Sequence, residues 1–509
     1  MAALTFADLE IRSVFSIEKI LSCHFETAEN EHARLYFAAQ VECRQAREKI
    51  EGMLSGQKVC LHGRGESQPV FTGVIGRAAI EDAHGSYVLK AEVLSNTCQL
   101  DLVKKSRSFQ DTRMTYSQVV QSVLREYPKV GCVFKVGGEK AIGYPIIQYL
   151  ETDWEFLKRL ASHFNTSLFP ELHTGEPKLY FGLPQRETLH QEEISHYKVR
   201  VDEKYYRMGG ETLRYRKADF LHYLFESSEA YEVGDQVALK GRTLRVVRKY
   251  CRLDKDGEIL YTYDVGSVRL ASQLRRYNEK IAGMSLQGSV LETYGQMVKL
   301  HLDVDPQPTA AYPYCWAPAT GNLMYLMPKV GTRVALYFPS GDEGEARAVT
   351  CIRTNGGQNS ASMTDISRRG LVTEHDKQLQ LYADRLGLIG SGQEGTPSSI
   401  ILEDGKGIAL ESDYPISIFA KGNVNIGGKV VKFTCKTSVM AFSKGGKPVP
   451  EEGGDEIPPV AVLVIKEGNV GGYTENLPVH MVGLTYREFP NIEDAPQKGT
   501  FNWGKFALG

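Results

Sequence analysis

Four stretches of the 509-residue sequence hold residue types that could do chemistry. Gly390-Ser391-Gly392-Gln393-Glu394-Gly395 has the glycine spacing of a phosphate-cradling loop. That chemistry needs a strand before the glycines, a helix after them and an acidic residue about 20 positions on. Thr396-Pro397-Ser398 and short alternating apolar runs follow instead, so the glycines read as a hairpin connection. Asp342 with Glu343, and Glu374 with His375 and Asp376, bring together groups that exchange protons. No nucleophile or metal-ligand pattern accompanies them, and they read as solvated turns. Tyr312, Tyr314, Trp316, Tyr325 and Tyr337 could stack bases or sugars if cations lined the same groove. Few Lys or Arg stand beside them, so core or subunit contact is the better reading. Nine cysteines form no CxxC pair, and twelve histidines form no HExxH or His-x-His. An odd set of scattered cysteines fits reduced thiols rather than a disulfide framework or a zinc site. The residues therefore point to no catalytic group, no cofactor and no metal.

The elements around these residues are mostly β. The chain is 42% apolar and 24% charged, enough to bury cores over about three or four domains. A formal net charge of -2 argues against a general nucleic-acid or anionic-membrane binder. No run of 18 apolar residues is present, and Asp8 and Glu10 follow the start without a basic stretch, so neither a membrane helix nor a secretory signal is expected. Residues 35–41 and 87–93 read as strands. A tight motif, Gly56-Gln57-Lys58-Val59-Cys60-Leu61-His62-Gly63-Arg64, returns as Gly234-Asp235-Gln236-Val237-Ala238-Leu239-Lys240-Gly241-Arg242. In each copy a strand follows (70–75, 244–247), then a Gly-centred turn (His84-Gly85, Asp256-Gly257) and another strand, which points to an internal duplication of a small barrel. Between the copies Thr115-Tyr116-Ser117-Gln118 and Thr152-Asp153-Trp154-Glu155 are capping boxes. The first opens an apolar face of Val119, Val120, Val123, Leu124 and Tyr127, stopped by Pro128. The second opens one of Leu157, Leu160, Ala161 and Phe164, expected to pack on a barrel. Five strand-like runs between 286 and 352 suggest a small closed barrel of the OB type.

Residues 400–426 have a different rhythm. Ile400 and Leu402, Ile408 and Leu410, Ile416 and Ile418, and Val424 and Ile426 form four pairs, each split by one residue and eight residues from the next. A spacing of two sends both side chains to one face of a strand. Turn residues separate the pairs, among them Asp404-Gly405-Lys406-Gly407 and Ser412-Asp413-Tyr414-Pro415. Leu379 with Leu381, and Leu386 with Leu388, are looser copies upstream. One apolar rung per repeat has no second layer of its own to bury against. Three copies around one axis would close it, and all eight residues of the four pairs are the expected axial trimer contacts.

Three stretches resemble a known family. Ser106-Arg107-Ser108-Phe109-Gln110-Asp111 is similar to its Arg-Ser-Phe/Tyr-Gln signature. Residues 144–160 carry Gln148-Tyr149-Leu150-Glu151-Thr152-Asp153, then Phe156-Leu157-Lys158-Arg159-Leu160, similar to a Gln-Tyr-x-Glu-Thr-Asp-x-x-Phe-Leu-x-Arg-Leu pattern. Tyr314-Cys315-Trp316, Pro328-Lys329-Val330-Gly331 and Gly341-Asp342 complete the series. Together they resemble VgrG, the spike of type VI secretion systems, and the hub and tail-spike proteins of contractile phages and phage-like injection machines, including late control protein D relatives. The resemblance covers about 96–426.

It implies a mainly β chain with minor α: two tube-like β-barrels in the hub, an OB-fold barrel, then an intertwined trimeric β-prism (β-helix) spike. The expected boundaries are 1–98 for the first hub barrel, 99–200 for a helical and mixed insertion, and 201–281 for the second barrel. An OB collar at 282–356, a linker at 357–376, the prism at 377–428 and a linker with C-terminal extension at 429–509 follow. The implied function is the structural hub and spike of a contractile injection machine, not an enzyme. It would adapt a six-fold tail tube to a three-fold puncturing spike. The alternatives are the baseplate hub of a contractile phage tail or tailocin, and a spike carrying a small C-terminal effector enzyme. The implied partners are two more copies of the chain, an Hcp-like tail-tube protein, baseplate proteins, a PAAR-like tip protein and an effector cargo, with no nucleic acid. Assembly in the cytoplasm and later ejection into a target cell follow from the same resemblance. The prism is short beside longer spikes, and no room separates barrel from prism for a lysozyme domain. The lack of His-x-His makes a separate tip protein the expected one.

Overall fold

Alternation of buried and solvent-facing residues makes the start of the chain β. The computed structural model describes residues 8–42, 57–63, 68–83, 86–191, 194–253, 258–308, 312–320, 326–352, 367–373, 375–390, 398–419, 421, 438–440 and 464–466. Strands β1 (Leu9–Arg12), β2 (Ile17–Thr27), β3 (Arg34–Val41), β4 (Lys58–Gly63), β5 (Phe71–Ala83) and β6 (Ser86–Ser95) come first. Along β3 every second residue, Leu35, Phe37, Ala39 and Val41, is buried, as a period of two requires.

A mixed region follows: β7 (Lys104–Phe109), α1 (Tyr116–Leu124), β8 (Gly131–Phe134), β9 (Ile146–Thr152), α2 (Asp153–Ser162), β10 (Leu168–Pro170) and β11 (Lys178–Phe181). Both capping boxes form. Thr115 accepts from the Gln118 amide at 3.3 Å, and Thr152 from the Glu155 amide at 3.1 Å. The Gln118 and Glu155 side chains accept from the two cap amides in return, at 2.8 and 3.0 Å. Helix α1 ends at Leu124, so Tyr127 sits in the turn beyond it. The apolar face of α2 does not pack on a barrel as expected. Phe156, Leu157, Leu160 and Ala161 join Phe109, Val119, Val120, Val123 and Phe181 in a core of the mixed region's own.

The second copy of the β unit comprises β12 (Leu189–His190), β13 (Lys198–Val201), a one-turn helix α3 (Lys204–Arg207), β14 (Leu221–Ser227), β15 (Gln236–Leu239), β16 (Arg242–Leu253) and β17 (Ile259–Gly266). Its strands pair in the order β15-β16-β17-β14-β13, and those of the first copy in the order β4-β5-β6-β3-β2. Strand order and chain order thus agree between the copies. A β-bulge interrupts β5 between Ile75 and Arg77, and one interrupts β16 between Val246 and Arg248, at the matching place. The repeated motif lies on β4 and β15. Lys240 and Gly241 (φ 51° and 71°) make a two-residue turn in the second copy, whereas β5 of the first copy begins at Phe71 and Arg64 lies outside the described residues.

The two copies are not separate barrels. Thr27 through His24 of β2 pair with Lys249 through Arg252 of β16, fusing both into one 12-stranded sheet. One apolar core runs under both, holding Phe25, Leu35 and Val93 from the first and Phe225, Val246 and Tyr263 from the second. The second copy also begins before the expected 201, because β12 and β13 already pair with β15 and β14.

Strands β18 (Ser285–Tyr294), β19 (Met297–Leu302), β20 (Pro313–Trp316), β21 (Arg333–Tyr337) and β22 (Arg347–Ile352) close into a barrel in the order β18-β19-β20-β22-β21. Leu286, Val290, Val298, Leu300, Leu302, Val334, Leu336 and Phe338 fill it, with Ile147 of β9 inserted among them. Tyr314 is 1% exposed and edge-on to Tyr312, a core residue as read from the sequence. Tyr325 lies outside the described residues.

A second compact unit spans residues 359–509. Its strands β23 (Arg369–Val372), β24 (Gln378–Leu381), β25 (Arg385–Gly390), β26 (Ser398–Glu403) and β27 (Gly407–Glu411) form one antiparallel meander. β23 falls inside the expected linker at 357–376. The glycine-spaced stretch joins β25 to β26, which pair antiparallel from Gly390 with Ser398, so no helix follows the glycines. Gly405 and Gly407 take φ of 75° and 98° in the next turn, the left-handed conformation the sequence implied. In the C-terminal extension β28 (Ser438–Met440) pairs with β29 (Val464–Lys466), and its other residues lie outside those described.

Candidate assembly surfaces

The residues of the two signature stretches are joints between parts of the first unit. Asp153 opens α2 and is 0% exposed in its side chain. Four donors converge on its carboxylate: Lys105 at 2.7 Å, Arg107 at 2.5 Å, Tyr127 at 2.6 Å and Gln148 at 2.9 Å. Burial opposes ionisation there, but the hydrogen bonds from Lys105, Tyr127 and Gln148 outweigh it and hold the carboxyl below its ordinary range. Arg107 also donates to the Gln148 side-chain oxygen at 2.8 Å and pairs with Glu126. Arg107 of the first stretch and Gln148 and Asp153 of the second thus form one network.

Arg159, on the buried face of α2, joins this region to the five-stranded barrel. It donates to Glu151 at 2.8 and 2.9 Å, to the Ile147 carbonyl at 2.7 Å and to Glu343 at 2.6 Å. Arg159 and Glu343 side chains are each 2% exposed. Glu343 therefore does not stand in a solvated turn, as its sequence neighbourhood suggested. The turn preceding β22 drives it inward, where its carboxylate also accepts from the Ile147 amide at 3.2 Å. Asp342 caps that turn by accepting from the Gly344 amide at 3.0 Å, while His375 and Asp376 are exposed as expected. A second joint runs parallel: Asp305 accepts from the Ser108 amide at 2.7 Å and its hydroxyl at 2.5 Å, and Gln110 donates to the Leu300 carbonyl at 3.2 Å. These carboxylates lie nearly 200 positions from their partners, and no local pattern marks them. The burial implied by Arg159 in an apolar helix face is the signal that could have found Glu343, since a buried cation needs a partner.

Burial beside the cations Arg159 and Arg275 pushes His163 down to about 3. Its ring faces the Tyr116 hydroxyl at 2.9 Å and the Tyr144 hydroxyl at 3.2 Å. The unfolded chain binds a proton near pH 6.5 and the folded chain does not, so stability is full above 6.5 and falls as pH drops towards 3. The urea midpoint of the wild-type protein is expected to fall between pH 6.5 and 4.5 by more than that of His163→Gln. Equal pH slopes for the two proteins would contradict this assignment.

In the second unit every rung residue within the meander lies on one face. Leu371, Leu379, Leu388, Ile400 and Leu410 stand opposite one another across five strands, and Leu381, Leu386, Leu402 and Ile408 form the next row. The opposite face carries Gly370, Gln380, Gly387, Ile401 and Ala409. Side chains of the two rows are largely uncovered in the single chain, Ile408 being 71% exposed and Ile400 41%. Ile416 and Ile418 follow β27, also exposed, and Val424 and Ile426 lie outside the described residues. The strands take their hydrogen bonds from one another within the chain, so what this face lacks is cover for its side chains rather than a strand partner.

Residues 31–181 match the family described as phage tail baseplate hub (GPD). Comparison with curated proteins gave no match. Among solved structures, the E. coli c3393 protein is similar with a TM-score of 0.50 and 14% identity, covering 68% of this chain and 99% of that one. It is described as a type VI secretion component structurally similar to T4 tail proteins gp27 and gp5. A chain of the half-lidded Francisella PdpA–VgrG complex is similar at a TM-score of 0.50 and 8% identity, covering 79% of this chain and 87% of that one. Residues 31–181 are therefore similar to a phage tail baseplate hub (GPD) domain, and the chain has a mainly β fold like that of the E. coli type VI component.

Proposed function

We propose that the chain is the structural hub and spike of a contractile injection machine and works as a homotrimer. The observation that carries the reading is the uncovered apolar face of the β23–β27 meander, with all its rung residues on one side. A contiguous patch of this kind marks an interface. Three such faces around one axis would form the rigid prism, with Ile400, Leu402, Ile408, Leu410, Ile416, Ile418, Val424 and Ile426 as its axial residues. The fused double sheet of the first unit supports the hub role. Two like units per chain give a trimer six similar surfaces for a six-fold, Hcp-like tube. The closed five-stranded barrel fits an OB collar. A PAAR-like tip protein at the prism, baseplate proteins around the hub and an effector cargo are the partners this reading assigns, with assembly in the cytoplasm before ejection. The GPD match favours one further form of the reading, a baseplate hub of a phage tail or tailocin.

Labelling the chain in purified contractile particles and imaging them tests the reading. Label is expected on the particle axis at the baseplate end of the tube. Label along the sheath, or intact functional particles without the chain, would overturn it.

The same reading makes the chain a non-enzyme. Asp153, Glu151, Glu343 and Asp305 are each engaged by fixed donors that hold the unit together. Purified full-length protein is expected to give no sustained turnover of peptidoglycan, nucleotide or lipid substrates. Turnover lost on a point mutation would contradict this.

A further inference from the structure

The internal duplication leaves one copy of its own seam unmade. Within the chain, β2 of the first copy lies along the second half of β16, with Lys249 opposite Thr27, Tyr250 opposite Glu26, Cys251 opposite Phe25 and Arg252 opposite His24. Registers within the copies fix the equivalent residues. The matching bulges place Arg248 with Arg77, and hence Lys249, Tyr250, Cys251 and Arg252 with Ala78, Ala79, Ile80 and Glu81 of β5. Pairing through β3 and β14 places His24, Phe25, Glu26 and Thr27 with Lys198, Val199, Arg200 and Val201 of β13.

Both equivalents are open where the seam is closed. β13 ends the sheet, with β14 on one side and no described strand on the other. β5 carries β4 against Phe71 through Val74, and the Ile75 amide reaches the Gln57 carbonyl at 3.0 Å. Beyond that, no strand among the described residues covers this edge of β5. Burial shows the same asymmetry. Phe25 and Thr27 at the made seam are 0% and 6% exposed, whereas their equivalents Val199 and Val201 are 47% and 62% exposed. Ala78 and Ile80, the residues they would meet, are partly buried apolar side chains at the edge of the same core.

We infer that β13 of one chain adds to β5 of a second copy in the register of the internal seam: Val201 opposite Ala78, Arg200 opposite Ala79, Val199 opposite Ile80 and Lys198 opposite Glu81. The occupant is a second copy because the two edges match by internal repetition and their charges are complementary. Glu81, held at 2.7 Å by Lys90, gains Lys198 as a further cation. Exposed valines on an open edge are what strand addition would bury. The contact is head-to-tail, a different edge meeting a different edge, so repetition closes a ring when the rotation is one third of a turn. This deepens the trimeric reading above and rests on it: it names the hub contact and its register.

Cysteine pairing in the full chain tests it, with Cys43, Cys315, Cys351 and Cys435 changed to serine. Cross-strand partners lie within the roughly 4.4–6.8 Å Cα separation a disulfide tolerates. Ile80→Cys with Val199→Cys is expected to give dimer and trimer bands on a non-reducing gel after oxidation. The one-residue-shifted control is Ala79→Cys with Val199→Cys, whose side chains would leave opposite faces of the sheet, and it is expected to stay monomeric on the same gel. A trimer by light scattering in which the first pair fails to cross-link, or both pairs link equally, overturns the register and leaves the trimer standing. A folded monomer by light scattering overturns both. Should the cysteine chain fail to fold, Lys198→Glu is read instead: self-association is expected to weaken and to return with Glu81→Lys, and no change in either overturns the seam.

Discussion

Replacing Arg159 by methionine is expected to lower the stability of the first unit by about 3–5 kcal/mol, the usual cost of removing one partner from a buried ion pair. The cause is what remains. Glu151 and Glu343 would be left buried, near each other and without their shared cation. Burial already pushes Glu151 up from its ordinary value, with Arg159 acting against it. Without Arg159 the Glu151 carboxyl would take up a proton or the site would open to water. Because Arg159 links α2 to the barrel turn, the damage should fall on the joint as well as on each part. Urea unfolding followed by tryptophan fluorescence reads this, since Trp154 lies on α2 and Trp316 on the barrel. The expected result is a lower midpoint and separated transitions. Neutralising the acids as well, with Glu151→Gln and Glu343→Gln beside Arg159→Met, should recover part of the loss. An unfolding free energy within about 0.5 kcal/mol of wild type, the ordinary range of a surface change, would show that the joint is not structural.

The second large effect is expected from Ile408→Asp. In the proposed prism one substitution changes three side chains in a single layer. Burying each isoleucine contributes about 1.5–3 kcal/mol, and the variant loses that three times over. It also brings three carboxyls together where like charges of low solvation cannot all stay ionised. The first unit has its own cores and should still fold. The expected phenotype is a soluble protein with a protease-sensitive second unit, unable to support injection. Lys406→Asp is the control. Lys406 is exposed in the adjacent turn, where its side chain pairs with Glu403 at 2.7 Å. Its change should stay within about 0.5 kcal/mol. Equal protection of the second unit in both variants would contradict an axial place for Ile408.

What the sequence made legible was local or periodic. The capping boxes at Thr115 and Thr152 are set by residues three apart, so the helix starts could be read directly. The octad rungs alternate with a period of two, which put Ile400, Leu402, Ile408 and Leu410 on one face without knowledge of their neighbours. The repeated Gly-Val-Leu motif marked the duplication. What was not legible depends on distance along the chain. The seam between β2 and β16 joins residues 222 positions apart, as the Thr27 hydroxyl to Lys249 carbonyl bond shows, and nothing local reveals that two like units share one core. Glu343 looked like a solvated acid because its neighbours are turn residues. Its partner Arg159 is 184 positions away. The start of the second copy was misplaced for a related reason: β12 and β13 are short edge strands whose identity comes from pairing rather than pattern.

The central claim is that the uncovered rung face is covered by two more copies of the same chain. The mass of the full-length protein in solution at micromolar concentration, measured by light scattering, tests this most directly. The account predicts a single species of three chains of 56.7 kDa each, persisting on dilution. A folded, stable species with the mass of one chain would contradict it.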